Sequence, residues 1–449
     1  MSYGLVIFGI VFAIAVLIFF TIKVKLHPFF SLTIAAFAFG LVTGQSVPTI
    51  LDAYSSGLGS TISGIGIVIA IGTVMGGLLE KSGAAETMAA TILKLTGPKH
   101  AAAGLAITGY FVSIPVFCDS AFVLLSPLAR RLSRDTKTSM VTMAVALGMG
   151  LHATHMLVPP TPGPLSVAGI LGANLGLVIL LGMLVSIPVT FVACMMGRFF
   201  GKKYYYIPEG VEEFKGDATK LPGPVAAFLP ILLPIVLMLL NTIATLESAP
   251  FGTDNFITAL LAALGQPVTA LLVGLIIAFF TYHSIFPNDK EVWTFDGVFG
   301  DGMKTAGQIV LIVGSGGAFA SVLKTSPLEQ MVTEYFSGLS LGILVPFIIG
   351  AIFRTAIGSG TVGMVTAASM LLPLVDVLGF NSPIGLVIAM LACASGGFMV
   401  FHGNDDFFWV ITSTSEMKPD IAYKVFPIIS VAQALTSFVC VFILQMIFL

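Results

Sequence analysis

Long apolar stretches recur along the whole chain, and they decide what it can fold into. A helix needs about 20 apolar residues to cross a bilayer. The stretches lie near residues 4–22, 28–44, 57–79, 101–129, 140–197, 223–241, 258–282, 305–323, 341–375, 384–412 and 425–449. Only 9% of the residues are charged, against about a quarter in soluble domains. The sequence therefore predicts an all-α polytopic membrane protein with about ten transmembrane helices and two re-entrant hairpins, embedded in the lipid bilayer.

Charge and cysteine content exclude several function classes. The net charge is −2, so the chain carries no basic surface for nucleic acid. The four cysteines are dispersed in apolar stretches, which predicts neither a disulfide framework nor a metal site, and we expect no cofactor. No Lys or Arg precedes the first stretch, which indicates a retained span rather than a signal peptide. Basic clusters at 23–25, 94–99, 130–137 and 198–203 are predicted to be cytoplasmic, with the amino terminus outside.

The stretch at 101–129 has basic residues at both ends, and this predicts a hairpin that enters and leaves on one side. Two crossings would need about 40 residues, and a single crossing would leave one basic cluster outside. Pro115 interrupts its middle. We therefore expect a re-entrant hairpin that turns near 115–120. Irregular backbone at that depth is tolerated only inside protein or beside a water-filled cavity.

Four prolines within residues 159–164 break the next stretch, because proline cannot continue a helix. We predict a broken helix over about 140–174, with helix to about Val158, an unwound segment, and a half-helix from about Leu165. A polar segment at 202–222 is predicted to be a cytoplasmic loop that divides the chain into halves.

The second half repeats the first, which predicts two repeats over 1–201 and 223–449. Gly57 has a counterpart in Gly300, and His155 has one in His402. A second interrupted hairpin at about 341–375 and a second broken helix at about 384–412 follow in the same order. Counting crossings gives the repeats opposite orientations. Such inverted repeats are typical of secondary transporters that bind substrate near the bilayer midplane.

The polar residues at these four interruptions are the candidate site. A charge in the bilayer costs about 2.5–3.5 kcal/mol on insertion scales, so polar groups at that depth indicate function. We predict that some bind the substrate and others carry the coupled proton. The substrate-binding candidates are Ser113, Ser120, Thr161, Gly163, Arg354, Ser359, Gly360, Thr361 and Asn404, and the proton-coupling candidates are Asp119, His155, His402, Asp405 and Asp406.

The chemistry of these residues suits an organic acid. Half-helices that begin at the breaks direct backbone N–H groups and the positive end of the helix dipole into the gap. Arg354 could bind a carboxylate through two parallel hydrogen bonds. Structural alternatives exist: Asp119 could cap its helix, Arg354 could form an internal ion pair with a buried acid, and the prolines could be a kink without a ligand.

Two other function classes fit the pattern less well. A membrane enzyme could use Ser395 and His402 as nucleophile and base, but nothing marks an oxyanion hole. A channel could also use broken helices, but buried acids at two breaks fit ion-coupled transport better. Sodium is the alternative coupling ion, although the sequence contains few of the clustered carboxylates that would favour a sodium site.

Three ordered motifs resemble those of the gluconate permease family, whose members are bacterial gluconate:proton symporters. They are H-M-L-V-P-P-T-P-G-P at 155–164, R-T-A-I-G-S-G-T-V-G-M-V-T at 354–366, and 402–409 with its Asn-Asp pair; a shorter match lies at 207–210. The resemblance runs through most of the 449 residues. It implies proton-coupled symport of a small hydroxylated monocarboxylate such as gluconate into the cell, across the bacterial inner membrane. D-serine or another small organic acid is the alternative substrate.

The resemblance also implies an ion-transporter-superfamily fold. That fold has a scaffold domain, a transport domain with two hairpins, elevator-like movement and a homodimer. The sequence departs from the gluconate pattern at Thr161, where these permeases have histidine, and at Cys118 and Asp119, where they have an aromatic residue and Glu. Both departures lie at the candidate site, and they make a shorter hydroxy acid such as glycerate a competitor.

Overall fold

The chain folds into helices throughout the part that the computed structural model describes, which is residues 3–208, 220–244, 252, 255–328, 330, 342–403 and 405–449. No β-strand occurs in these ranges, which confirms the all-α prediction. The first half contains α1 (Tyr3–Ile18), α2 (Pro28–Val42), α3 (Val47–Lys81), α4 (Ala84–Thr96), α5 (Ala101–Val112), α6 (Cys118–Asp135), α7 (Met140–Leu157), α8 (Pro162–Leu171) and α9 (Leu175–Lys203). The second half contains α10 (Pro224–Ala244), α11 (Phe256–Leu264), α12 (Pro267–Ile285), α13 (Val298–Lys324), α14 (Leu344–Ile357), α15 (Gly360–Leu371), α16 (Pro383–Gly396), α17 (Asp406–Thr414) and α18 (Pro419–Phe448).

The helices are those of a multi-span membrane protein. Eight segments in the described ranges are long and apolar enough to cross a bilayer, with the broken pair α7–α8 counted as one. Four shorter apolar helical segments accompany them. The prediction of about ten crossings, and of hairpins that re-enter on one side, stays a prediction. Most of the polar segment at 202–222 lies outside the described residues.

Helices are interrupted at four places, and local chemistry explains three of them. Residues 113–117 separate α5 from α6, and residues 158–161 separate α7 from α8. Pro162 begins α8, three residues before the predicted start, because proline is tolerated in a first helical turn. Gly358 adopts φ +87° between α14 and α15, a conformation that favours glycine. Asp405 caps α17 by accepting from the Phe407 backbone N–H at 2.7 Å.

The broken pair α7–α8 lies at the centre of the molecule. In its membrane-length window 94% of the residues are buried, against at most 67% in the other seven spans. The helix therefore contacts protein on nearly all sides. This satisfies the requirement that unwound backbone at membrane depth be shielded from lipid.

Helices α3 and α13 pack against each other in antiparallel directions along a seam of glycines. A Cβ built on Gly57 near the start of α3 would lie 2.6 Å from the Gly317 carbonyl oxygen near the end of α13. A Cβ on Gly302 near the start of α13 would lie 2.8 Å from the Val74 side chain near the end of α3. The two backbones can approach this closely only because these positions carry no side chain.

We expect Gly57→Val to destabilise the protein. Its side chain would collide with the Gly317 carbonyl and the Ser321 side chain, and overpacking of this kind costs about 1–3 kcal/mol. The thermal unfolding midpoint in detergent should fall. Gly59→Val is the matched control, because a Cβ there meets nothing within 4 Å. Equal midpoints for the two variants would contradict the packing of the seam.

Candidate functional site

Arg354, near the end of α14, is the only arginine in the buried core among the described residues, with 2% of its side chain exposed. Its Nη1 lies 2.5 Å from Asp405 Oδ2 and also donates to the Gly358 carbonyl. The guanidinium carbon lies 5.5 Å from the centre of the Phe401 ring. The ion pair therefore joins the tip of the second hairpin to the break in the second broken helix. The internal ion pair with a buried acid, which was the structural alternative for Arg354, is present.

The other edge of the Arg354 guanidinium is free. Neither Nε nor Nη2 has a hydrogen-bond partner in the described part of the chain, although both atoms are buried. Nε–H and the Nη2 amino group lie on the same edge of the planar guanidinium. Together they form the fork that binds a carboxylate. Buried donors of this kind usually have a partner, so these two N–H groups are candidates for binding a ligand.

The first broken helix contacts the tip of the second hairpin. A Cβ built on Gly163 would lie 3.9 Å from the Thr361 Cα and 3.0 Å from the Met364 sulfur. A Cβ on Gly360 would lie 3.7 Å from Arg354 Nη1. The glycines thus allow α8 and α15 to begin side by side next to the guanidinium.

Asp119 faces the acids of the second half from the first turn of α6. It lies within electrostatic range of Asp405 and Asp406. Its Oδ1 is buried and has no partner among the described residues. Phe117 rather than Asp119 occupies the N-cap position, whereas Asp119 lies in the first turn of α6, where the helix dipole favours an acid.

His155 and His152 occupy different surroundings on α7. His155 is half-buried, lies within electrostatic range of Asp405 and Arg354, and has a buried Nδ1 without a described partner. His152 packs among aromatic rings, with ring centres 5.2 Å from both Phe398 and Phe401. His155 therefore belongs to a charged cluster with Arg354, Asp405 and Asp119, whereas His152 lies in an aromatic pocket behind this cluster.

Two predicted residues of the second break, His402 and Asp406, are not joined to Arg354 by a side-chain bond among the described residues, and a third lies outside them. The His402 carbonyl accepts from the Asp405 backbone N–H at 3.0 Å, and its half-buried imidazole forms no hydrogen bond among the described residues. The Asp406 side chain is exposed in the first turn of α17. Asn404 lies outside the described residues.

Several predicted hydroxyl groups bond to the breaks themselves. Thr161 Oγ1 donates to the carbonyl oxygens of Val158 at 2.6 Å and His155 at 3.0 Å, which holds the unwound segment together. Ser113 is fully buried and donates to its own turn, at 3.4 Å. Ser359 accepts from the Val362 backbone N–H at the start of α15. Thr161 and Ser113 therefore offer a ligand only lone pairs, whereas the Ser359 O–H can still donate.

The serine that a membrane enzyme would need is also engaged. Ser395 is fully buried; its hydroxyl donates to the Leu391 carbonyl at 2.7 Å and lies 2.6 Å from the Ser437 hydroxyl. No hydrogen bond joins it to His402 in the described part of the chain. The arrangement gives a nucleophilic serine no base.

Four helices begin around the cluster, and their dipoles favour an anion there. Helices α8 and α15 contact each other, as do α6 and α17. Each starts at one of the four interruptions. The starts of α8 and α15 therefore lie beside the Arg354 guanidinium, and the positive ends of their helix dipoles point toward this region.

Sequence reasoning missed several residues of the site. Phe401 stacks under Arg354, and the sulfur of Met156 would lie 3.0 Å from a Cβ on Gly360. The Ser120 hydroxyl lies close to Glu80, an acid near the end of α3. Apolar residues in an apolar chain carry no signal of a site. Glu80 had one signal, since an acid that close to the end of a predicted span is unusual.

A separate cavity of ≈ 470 Å³ lies among α3, α8, α9, α10 and α12. Asn174, Asn241, Thr242 and Gln266 provide its polar lining. None of the predicted site residues lines it. The cavity therefore does not compete with the charged cluster as the candidate site.

Comparison with known proteins identifies relatives over nearly the whole chain. The profile of the GntP family permeases matches residues 5–447. An uncharacterized permease of Haemophilus influenzae is 38% identical over 423 residues, which are 90% of this chain and 85% of that protein. A gluconate permease of Pseudomonas aeruginosa is 30% identical over 95% of this chain and 94% of its own length. The D-serine transporter DsdX of Escherichia coli is 31% identical over 90% of both.

A solved structure has a similar fold. The crystal structure of the Alcanivorax borkumensis YdaH transporter aligns with a TM-score of 0.62 and 16% identity, over 89% of this chain and 87% of that one. At that identity the likeness concerns the fold alone.

Proposed function

Because the chain belongs to the GntP family of permeases, we propose that it is a secondary transporter that takes up a small hydroxylated monocarboxylate together with a proton. Permease function follows from the family. The carboxylate substrate and the proton are our proposals, and so are the bacterial inner membrane and the homodimer. The observation that carries the substrate class is the free edge of Arg354.

The substrate carboxylate would bind to Nε and Nη2 of Arg354. Asp405 and the Gly358 carbonyl hold the opposite side of the guanidinium, so its orientation is set before the ligand arrives. A carboxylate on the free edge would satisfy both buried donors. The helix starts of α8 and α15 lie beside it and would add their dipoles. Lone pairs of Thr161, Ser359 and Thr361 would accept hydrogen bonds from the substrate hydroxyls.

Asp119 is the best candidate for the proton carrier. Arg354 and Asp405 neutralise each other, so an arriving anion adds one uncompensated negative charge near Asp119. Protonation of Asp119 removes that repulsion. Proton and substrate therefore favour each other's binding, and the coupling is reciprocal. Asp405 is less suited, because Arg354 and the Phe407 N–H already engage both of its oxygens.

D-serine is the second candidate, and Asp119 is the observation that favours it. An amino acid carries an ammonium group besides its carboxylate, and the unpartnered Oδ1 of Asp119 could accept from it. A relative that is 31% identical is a D-serine transporter. A deprotonated Asp119 would then bind substrate rather than the proton.

Ligand stabilisation in detergent tests the carboxylate requirement. We expect gluconate or glycerate to raise the thermal unfolding midpoint, by an amount that corresponds to about 2.7 kcal/mol at 100 times Kd. Glycerol and glucose are the matched controls, since they offer hydroxyls without a carboxylate. Stabilisation by D-serine alone would favour the second candidate. Equal stabilisation by glycerol and glycerate would contradict a carboxylate site.

Unequal contacts of the two halves with α3 and α13 support inverted repeats and alternating access. On α3, Gly76 lies against the Pro115 carbonyl, at the tip of the first hairpin. On α13, a Cβ at Gly316 would lie 2.9 Å from Ser369 Oγ, which is well beyond the tip of the second hairpin. Symmetric halves would make equivalent contacts. The difference is what an elevator-like displacement toward one side of the membrane would produce.

Exchanging the contacts between the repeats predicts the opposite state. Gly316 also faces Val365, the sixth residue of α15. In the first half, Thr73 on α3 is the counterpart of Gly316, and Val123, the sixth residue of α6, is the counterpart of Val365. Val365 is fully buried, whereas Val123 is 51% exposed. Val123 is five residues beyond the start of α6, and Thr73 is three residues before Gly76, so burial of Val123 against Thr73 requires a shift of eight residues, about 12 Å at a helical rise of 1.5 Å per residue.

Cysteine pairs test this movement, in a variant without the four native cysteines. We expect Gly316→Cys with Ser369→Cys, combined with Val365→Ala to make room for the new Cβ, to form a disulfide in the state described here, because the built Cβ and the hydroxyl lie at disulfide distance. Thr73→Cys with Val123→Cys should form one in the opposite state. Each bond should stop transport until it is reduced. An absence of the second bond during turnover would contradict the displacement.

A further inference from the structure

A second pair of buried acids lies outside the candidate site, at the predicted cytoplasmic end of α3. Glu80 lies in the last turn of α3, and Glu86 lies in the first turn of α4. Glu86 is 7% exposed, and its Oε2 has no hydrogen-bond partner among the described residues. Burial raises the pKa of Glu86, and the nearby Glu80 carboxylate raises it further, against a hydrogen bond from its own backbone N–H.

The pair is connected to the first hairpin. The Ser120 hydroxyl lies near enough to the Glu80 carboxyl to act on it electrostatically, and Ser120 follows Asp119 in the first turn of α6. One turn before Glu80 on the same face of α3, Gly76 lies against the Pro115 carbonyl of the hairpin turn. The side chains of Asp119, Ser120 and Glu80 are all half-buried. A series of polar side chains thus leads from Asp119 through Ser120 and Glu80 to Glu86 at the start of α4.

Few other charges act on Glu86. Helix α4 packs against α3, α5, α6 and α10, and neither α5 nor α10 carries a charged residue. Lys81 on α3 pairs with Asp301 at 3.7 Å and acts on Glu80 rather than on Glu86. On α6, Asp119 is the titratable residue at this end. Residues 98–100 pack at the opposite end of α4. No cation therefore compensates Glu86 in the described part of the chain.

We propose that Glu80 and Glu86 form the release site through which the coupled proton leaves Asp119 for the cytoplasm. This inference rests on the proposed proton coupling. In the transfer step, the Asp119 carboxyl gives its proton through water to the Ser120 oxygen, and the Ser120 O–H gives its proton, again through water, to the Glu80 carboxylate. Serine ends neutral, Asp119 ends as a carboxylate, and one proton has moved. Glu86 then receives it next to the start of α4.

The test compares two modes of transport in proteoliposomes. Uptake driven by a pH gradient requires proton release, whereas exchange of labelled for unlabelled substrate at equal pH does not. We expect Glu80→Gln and Glu86→Gln each to lower gradient-driven uptake by about tenfold or more, as for loss of a proton-transfer group, with exchange unchanged. Asp52→Asn, an exposed acid on α3, is the matched control and should retain both modes.

Other outcomes overturn the proposal. Retention of both modes in the two variants would show that the proton leaves by another route, and loss of both would show a structural role. If Glu86→Gln does not fold, Glu80→Gln decides alone, because Glu80 is half-buried and tolerates the change more readily. Wild-type uptake that is independent of the pH gradient would remove the proposed proton coupling as well. If wild-type uptake depends on the pH gradient but the two variants do not lose it as expected, only the proposed release site is overturned.

Discussion

Arg354→Lys should raise the KM for a carboxylate substrate about 10- to 100-fold. Lysine keeps the positive charge beside Asp405 but cannot reproduce the planar fork of Nε and Nη2. One lost hydrogen bond to a charged group is worth about 1.5–3 kcal/mol, and each 1.4 kcal/mol corresponds to a factor of about ten in affinity. The measurement is the concentration dependence of initial uptake rates in proteoliposomes.

The choice of lysine matters for this experiment. Arg354→Ala would leave Asp405 buried without its partner, and breaking a buried pair in this way costs about 3–5 kcal/mol of stability. Loss of transport would then report misfolding. Arg131→Lys is the matched control, because Arg131 is an exposed residue that pairs with Asp135 on the same helix at 3.5 Å. A normal KM for Arg354→Lys would exclude the bidentate carboxylate site.

Asp119→Asn should abolish accumulation against a gradient while it preserves exchange. Asparagine resembles the protonated carboxyl in size and lack of charge, so the substrate can still bind. It cannot release a proton, so the coupled proton no longer crosses with the substrate. The wild-type affinity should fall as pH rises, because Asp119 loses its proton, and the affinity of the variant should be flat over the same range.

The control for this prediction lies at the other end of the same helix. Asp135 is exposed and pairs only with Arg131 among the described residues, so Asp135→Asn should behave as wild type. Accumulation by Asp119→Asn at the wild-type level would assign the proton to another residue, and Asp405 would be the next candidate. Loss of exchange as well would instead place Asp119 in substrate binding, as the D-serine alternative requires.

Local sequence chemistry predicted the positions of the helix breaks because their causes are local. Prolines at 159–164 cannot continue a helix, and Gly358 provides a conformation that other residues rarely adopt. The approach of α8 to α15 has a different origin. It depends on packing between residues such as Gly163 and Thr361, about 200 positions apart, and no single-sequence pattern contains that distance.

Roles of individual polar residues were harder to predict for a physical reason. A hydroxyl or guanidinium has more than one possible partner, and only the folded chain decides among them. Thr161 donates to the carbonyls of its own break, and Arg354 divides its donors between Asp405, a carbonyl and a free edge. The sequence showed either an ion pair or a ligand fork at Arg354, and the structure contains the first while leaving room for the second.

Uptake of labelled substrate into proteoliposomes under an imposed pH gradient tests the central proposal most directly. The panel consists of gluconate, glycerate, D-serine and a dicarboxylate, each also measured under a sodium gradient at equal pH. We predict saturable uptake of one hydroxylated monocarboxylate that disappears when the pH gradient is dissipated and that sodium does not replace. Uptake driven by the sodium gradient, or no gradient-dependent uptake of any monocarboxylate, would contradict proton-coupled symport.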